Sequence, residues 1–266
     1  MAFQVNTTGT LEYLTSSALE VPHCFTTRFG GVSGGYLASM NIGVHRGDDP
    51  ENVRKNYAIL GEALGFDPNR AILTHQTHTD IVLRVGQNDL GTPLTYLEPE
   101  CDGLVTNEPG ITLVIFTADC TPILLWDSKT GAVGAAHAGW RGTAAGIAAK
   151  TVEAMVREFG CDPGNIRAAI GPNIAQCCFE TDADVPQAML AALGEEAAPF
   201  IRTSGPKFHL DLKGINGLWL KKAGVQSIDF STDCTACQPD RFWSHRVVGN
   251  RRGSQGALIV CKEGNL

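Results

Sequence analysis

Short apolar runs alternate with polar, glycine-rich connections along this chain, and the densest group of runs lies between positions 112 and 143. The first, 112–116 (TLVIF), stops at the polar turn Thr117-Ala118-Asp119-Cys120. The second, 122–126 (PILLW), ends in Asp127-Ser128-Lys129-Thr130-Gly131, a connection with hairpin chemistry. A third, 132–136, delivers His137 and then Ala138-Gly139-Trp140-Arg141-Gly142, after which an alanine-rich stretch begins. The pattern predicts three strands and a helix, with Cys120 and His137 at strand edges beside a helix N-terminus. A thiolate, an imidazole, an arginine and free backbone N–H groups then meet at one place.

The flanking segments extend this picture. A strand over 24–27 leads into Arg28-Phe29-Gly30-Gly31-Val32-Ser33-Gly34-Gly35. Such a loop is either plainly flexible or able to bring its backbone close to a ligand, because glycine carries no Cβ. It matches neither a P-loop nor GxGxxG. Asp49-Pro50 opens a helix over 51–64, with Val53, Tyr57, Leu60 and Leu64 on one face and Gly65 at its end. Short strands over 71–73 and 81–83 bracket Thr74-His75-Gln76-Thr77-His78-Thr79-Asp80, and a turn and strand occupy 101–106. Beyond the central runs, helices are expected over 143–159, 184–193 and near 213–222, with strands over 166–170 and 256–260. No repeat or linker divides the chain, and the regular spacing of a Rossmann fold is missing. The expectation is one α/β domain over residues 1–266 with a mixed sheet.

Composition narrows the partners. With 43% apolar and 18% charged residues, the 266-residue chain can bury a substantial core. A net charge of −7 disfavours nucleic acid or an anionic membrane as main partner. No apolar run approaches the roughly 18 residues of a membrane span, and the start, MAFQVNTTGT, lacks the parts of a signal peptide. Nine scattered cysteines read as mostly reduced thiols in a cytoplasmic protein.

Candidate chemistry centres on His78, Cys120 and His137. Two imidazoles and a thiolate suit zinc and leave a fourth position for water or substrate. His75 competes with His78 as ligand, and Asp80 or Asp119 would orient a ligand from behind. The same Cys120 and His137 also make a metal-free nucleophile and base, and an inert buried Cys120 is the purely structural alternative. Cys234-Thr235-Ala236-Cys237 has no second CxxC at ribbon spacing, and adjacent Cys177-Cys178 suits a disulfide poorly, so packing roles are expected there. Arg141 beside a helix start adds a forked cation for an anion, and Arg28 with Ser33 offers a similar contribution. Together they suggest a phosphate or carboxylate substrate.

The chain also carries, in order, FTTRFGGVS at 25–33, Asn41-Ile42-Gly43, Gly47-Asp48-Asp49-Pro50, Gln76-Thr77-His78, Thr117-Ala118-Asp119-Cys120 and HAGWRG at 137–142. Gly171-Pro172, CCFE at 177–180, the 234–237 CxxC and Ser244-His245-Arg246 follow. These motifs span nearly the whole chain, which resembles the YfiH-like, laccase-domain family of purine nucleoside phosphorylases, earlier described as polyphenol oxidases. The family's Gln-x-His-Gly departs here to Gln76-Thr77-His78-Thr79. The resemblance implies a mixed β-sandwich flanked by helices, like one shared with certain bacterial toxin deamidases. It further implies zinc on His78, Cys120 and His137, and phosphorolysis of adenosine, inosine, guanosine or methylthioadenosine, with adenosine deamination as a second activity. Cys120, His137 and Arg141 are the expected catalytic residues, and Arg28, Ser33, Asn41 and Arg141 the expected substrate and phosphate contacts. A copper-dependent polyphenol oxidase ranks below this, because only seven histidines occur, none as His-x-His. A Cys–His amidase acting on peptidoglycan precursors and a non-enzymatic binding module complete the alternatives.

Overall fold

The unbroken apolar runs reflect strands covered on both faces. In the computed structural model, which describes residues 2–262, the chain begins with strands β1 (Phe3–Thr8), β2 (Leu11–Ser16) and β3 (His23–Thr26). Helix α1 (Pro50–Leu64) follows, then β4 (Ala71–Leu73), β5 (Val82–Arg84) and β6 (Gly103–Thr106). The central runs are β7 (Thr112–Thr117), β8 (Thr121–Asp127) and β9 (Val133–Ala138), followed by α2 (Trp140–Ala144) and α3 (Ile147–Phe159). Next come β10 (Ile166–Ile170), β11 (Glu180–Thr181), α4 (Asp184–Leu193), β12 (Ile201–Ser204) and β13 (Lys207–Leu210). The last elements are α5 (Leu212–Lys222), β14 (Ser227–Phe230), α6 (His245–Val248) and β15 (Gln255–Val260).

Two six-stranded mixed sheets result, ordered β1-β2-β3-β15-β7-β4 and β14-β10-β8-β9-β6-β5, with β11-β13-β12 as a small third sheet. Side chains alternate along a strand, and here each face meets a different layer. Leu113 and Ile115 of β7, with Ala257 and Ile259 of β15, pack between the sheets against Leu124, Trp126, Val133 and Ala135. The intervening Val114, Phe116 and Leu258 pack outward against Val53, Tyr57 and Leu60 of α1. On the second sheet Ile123, Leu125, Ala136 and Ala138 turn outward to Ile147, Val152 and Met155 of α3. The order of layers is helix, sheet, sheet, helix, the mixed α/β sandwich expected.

The structure refines three expectations. The corner at 117–121 carries the chain from one sheet to the other, since β7 and β8 belong to different sheets. Strands 71–73 and 81–83 likewise separate into the two sheets, so β5 does not resume β4. The helix expected from 143 is broken: α2 is five residues long, and Gly146 at φ 77° restarts the chain as α3. The β1–β2 hairpin, β14 and the small third sheet had no strong alternating pattern to announce them.

Asn56 of α1 ties the glycine-rich loop to this scaffold. Its amide donates to Ser33 Oγ at 2.9 Å and Asn41 O at 2.7 Å and accepts from Val32 N–H at 2.8 Å. Asn56 is fully buried, so truncation leaves several polar groups without partners or water. Asn56→Ala is expected to lower stability by about 3–5 kcal/mol, read as a lower urea midpoint with an unchanged slope.

Candidate metal centre

Strand register sets the site. Val133 and Ala135 of β9 face the core between the sheets, and His137, two residues further on, continues that row to its end. Opposite it, β8 pairs Thr121 with Ala138, so Cys120 enters from the preceding corner. His78 comes from the loop between β4 and β5. The ligand atoms of His78, Cys120 and His137 all lie within 4.8 Å of one another, with Cys120 Sγ 3.8 Å from His78 Nε2. The two imidazole rings meet edge-on at 5.0 Å.

Asp102, at the start of β6, organises both histidines. It is fully buried, as His137 nearly is. Its carboxylate accepts from His137 Nδ1 at 2.7 Å. It also accepts from the backbone N–H groups of Thr77, His78 and Thr79 and from the Thr79 hydroxyl, at 2.7–3.2 Å. These donors hold His78 at φ 64°, a left-handed conformation unusual for a side-chain residue. Bonding at Nδ1 leaves His137 Nε2 facing the trio. Burial opposes charge at both partners, yet mutual attraction wins: the Cys120 thiol falls below its usual range beside His137 and His78. His137 rises through Cys120 and Asp102.

The neighbouring corner is held by a second carboxylate. Asp119 sits at φ 89°, and its oxygens accept from Thr235 Oγ1 at 2.6 Å, Ser244 Oγ at 3.0 Å and Arg246 N–H at 2.6 Å. Gln76 supports the histidine loop, donating to Phe116 O at 2.8 Å and accepting from Phe116 N–H at 2.6 Å. Gly139 is required by close approach, because a Cβ there would lie 2.5 Å from His78 Cδ2 and 3.3 Å from Cys120 Sγ.

Two pockets meet at His78 and Cys120, and His137 lines the first of them. One is lined by Arg46, Gln76, Tyr96 and Phe116 beside the three residues. The other, more apolar, is walled by Trp140, Phe179, Ile174 and Leu212, with Arg141 and His245 at its polar side. Arg252 borders both. Burial and neighbouring Arg46 bring its guanidinium down to about 10, and its buried Nε finds no partner among the described residues.

The sequence-level candidates separate into two groups. His78, Cys120, His137 and Arg141 come together. Arg28, Ser33 and Asn41 do not: none lines either pocket. Arg28 donates to Pro239 O and Ala38 O and lies over Trp243, while Ser33 and Asn41 donate to Asp48. Their polar groups hold the glycine loop instead. Arg141 lies 4.2 Å over Trp140, but the five-residue α2 is too short to add a helix field there. Competing assignments also resolve. His75 bonds Glu98, Asp80 pairs with Lys150, and the orienting carboxylate is Asp102, which sequence reasoning missed because its partners lie 23–35 positions away.

A donor set of two imidazoles and one thiolate, with the second nitrogen of His137 held by a carboxylate, fits an ion such as zinc with an open position. The model of the family described as multi-copper polyphenol oxidoreductase laccase matches residues 22–262. A Geobacillus stearothermophilus protein named purine nucleoside phosphorylase YlmD is 39% identical, over 88% of this chain and 87% of its own. A Deinococcus radiodurans protein named purine nucleoside phosphorylase is 40% identical, over 94% and 92%. The crystal structure of YlmD from Geobacillus stearothermophilus superposes with a TM-score of 0.90 at 36% identity, covering 97% of this chain and 99% of that one. That of YfiH from Bacillus licheniformis gives 0.87 at 31% identity, with the same coverage.

Asp102→Asn is expected to weaken capture of a divalent ion about 10–100-fold, measured by competition with a chromogenic chelator. Asp80→Asn, whose carboxylate faces Lys150, should leave that affinity unchanged.

Proposed function

The chain belongs to the multi-copper polyphenol oxidoreductase laccase family, and on that premise we propose that it is a zinc-dependent purine nucleoside phosphorylase with adenosine deamination as a second activity. The observation that carries this reading is the position of His78 and Cys120 between an arginine-lined pocket and an aromatic-lined one, with His137 lining the first. Names of relatives at 39–40% identity support the same reaction. Residues 1–266 would serve as one catalytic domain, with nucleoside and phosphate as its small-molecule partners.

His78, Cys120 and His137 would hold the zinc, which when bound supplies a Lewis acid able to polarise a ligand or acidify a water. Trp140 and Phe179 offer ring faces to a purine. Arg141 and Arg252 offer guanidinium groups to phosphate. In phosphorolysis a phosphate oxygen bonds to the ribose anomeric carbon and the glycosidic bond breaks. Its electron pair leaves with the purine, which takes up a proton, and ribose 1-phosphate remains. His245, which lines the same pocket, would give that proton. In deamination a water oxygen bonds to C6 of adenine and the amino group leaves as ammonia. Orientation by the two pockets and neutralisation of phosphate charge are this chain's contributions. The family's copper name fits less well, since a multi-copper centre needs several histidine clusters. Among the described residues this trio is the only metal-capable cluster containing histidine.

Protein of known metal content, incubated with adenosine, should release adenine and ribose 1-phosphate only when phosphate is present, and inosine and ammonia without it. Neither product set in either condition would reject the proposal. Arg141→Ala should raise the phosphate KM about 10–100-fold, the value of a charge-assisted hydrogen bond, with metal content unchanged. Arg141→Lys should rescue only partly, for want of the forked donor.

One observation favours a second reading. Cys120, His137 and Asp102 stand in the order nucleophile, base and orienting carboxylate, which suits a thiol hydrolase acting on amides. Full activity after metal removal, together with rapid loss on alkylation of Cys120, would select it over the zinc enzyme.

A further inference from the structure

The paired cysteines expected to serve only packing meet in space. Cys177 and Cys178 lie in the loop after β10, and Cys234 and Cys237 lie in the loop after β14. Parallel bridging of Asn173 with Cys234, and a bond from Thr235 N–H to Asn173 O at 3.0 Å, lay the two loops side by side. All four sulfurs fall within 4.8 Å of one another. Cys177 is 3.7 Å from Cys178 and 3.6 Å from Cys237, and Cys178 is 3.3 Å from Cys237. These separations exceed the ~2.0 Å of a disulfide, and all four thiols are free. A tetrahedral zinc with ~2.3 Å Zn–S bonds places its sulfurs ~3.8 Å apart, close to what is seen. An iron–sulfur cluster needs its thiolates spread wider around several metal atoms.

We propose that Cys177, Cys178, Cys234 and Cys237 form a second metal site, separate from the His78, Cys120 and His137 trio, that takes one structural zinc ion on four thiolates. The donor set is complete and soft, with no open position, which is the pattern of a structural rather than a catalytic site. Its surroundings suit thiolate charge. Ala175 N–H points at Cys234 Sγ at 3.3 Å. The buried Lys213 ammonium is held beside the 234–237 loop by Ser231 O and Asp233 O, each at 2.7 Å. Arg246 donates to Cys178 O at 2.9 Å. Four thiolates and one Zn2+ carry a net charge of −2, which these cations offset.

The ion would fasten one wall of the aromatic pocket. Phe179 and Ile174 of that wall flank Cys177 and Cys178 in sequence. Thr235, between the other two ligands, bonds Asp119, and Asp119 in turn holds Arg246. Zinc across the loops therefore fixes both the pocket lining and the corner that presents Cys120. The assignment stands on sulfur geometry and does not depend on which reaction the trio performs.

The test is elemental analysis and native mass spectrometry of the purified, dialysed protein, with thiol mapping. About one zinc per chain should disappear in Cys177→Ser/Cys237→Ser while the metal at His78, Cys120 and His137 stays. The variant should also melt at a lower temperature. Should it not fold, the wild type decides. All four cysteines should resist alkylation by N-ethylmaleimide and become reactive together on adding a strong chelator. Cobalt loaded in place of zinc should give the intense absorption of a four-thiolate site. Free alkylation of the four without chelator, or a disulfide among them, would overturn the metal site. Iron at full occupancy would overturn the choice of zinc.

Discussion

A single buried carboxylate, Asp102, sets the arrangement on which the site depends. Left alone in the interior, an ionised carboxylate would be very costly. Here it accepts from His137, from three successive backbone N–H groups and from the Thr79 hydroxyl. The same interactions that make its burial tolerable fix the conformation of the 77–79 loop and the orientation of the His137 ring. Because both histidines answer to one side chain, their separation is set by Asp102 and the sheet, with little left to side-chain freedom.

The sandwich explains where that carboxylate can exist. Between the sheets, alternate residues of β7, β15, β8 and β9 fill the core, and the outer faces are sealed by α1 and α3. At the end of the inter-sheet row the apolar positions give way to Asp102 and His137, and the chain crosses from one sheet to the other at Asp119-Cys120. That crossing needs Asp119 at positive φ, a strain of about 1–3 kcal/mol, held in place by Thr235, Ser244 and Arg246. Two carboxylates thus serve one purpose, each replacing missing strand partners with side-chain acceptors where regular hydrogen bonding ends.

The 234–237 loop connects these parts. It reaches Asp119 through Thr235, the 171–179 loop through Asn173, and Cys177 and Cys178 through its own two cysteines. The pocket's aromatic wall is therefore built by segments remote in sequence, and its shape follows from how firmly these loops are fastened together.

By itself the sequence determined the strands of the two-sided core and the helix at 51–64 with Gly65 at its end. These are local properties: side-chain period, capping and turn residues act within a few positions. Tertiary structure alone decided that β7 and β8 lie in different sheets, because a buried run is equally apolar whichever sheet receives it. It decided that Asp102, not Asp80 or Asp119, orients His137, because the bond spans 35 positions. It tied Arg28, Ser33 and Asn41 into the support of the glycine loop and brought Arg252 to the edge of both pockets. It also joined two cysteine pairs that read as unrelated. Hydrogen bonds and metal donors are satisfied by neighbours in space, and which residues become neighbours is settled only when the sheets pack.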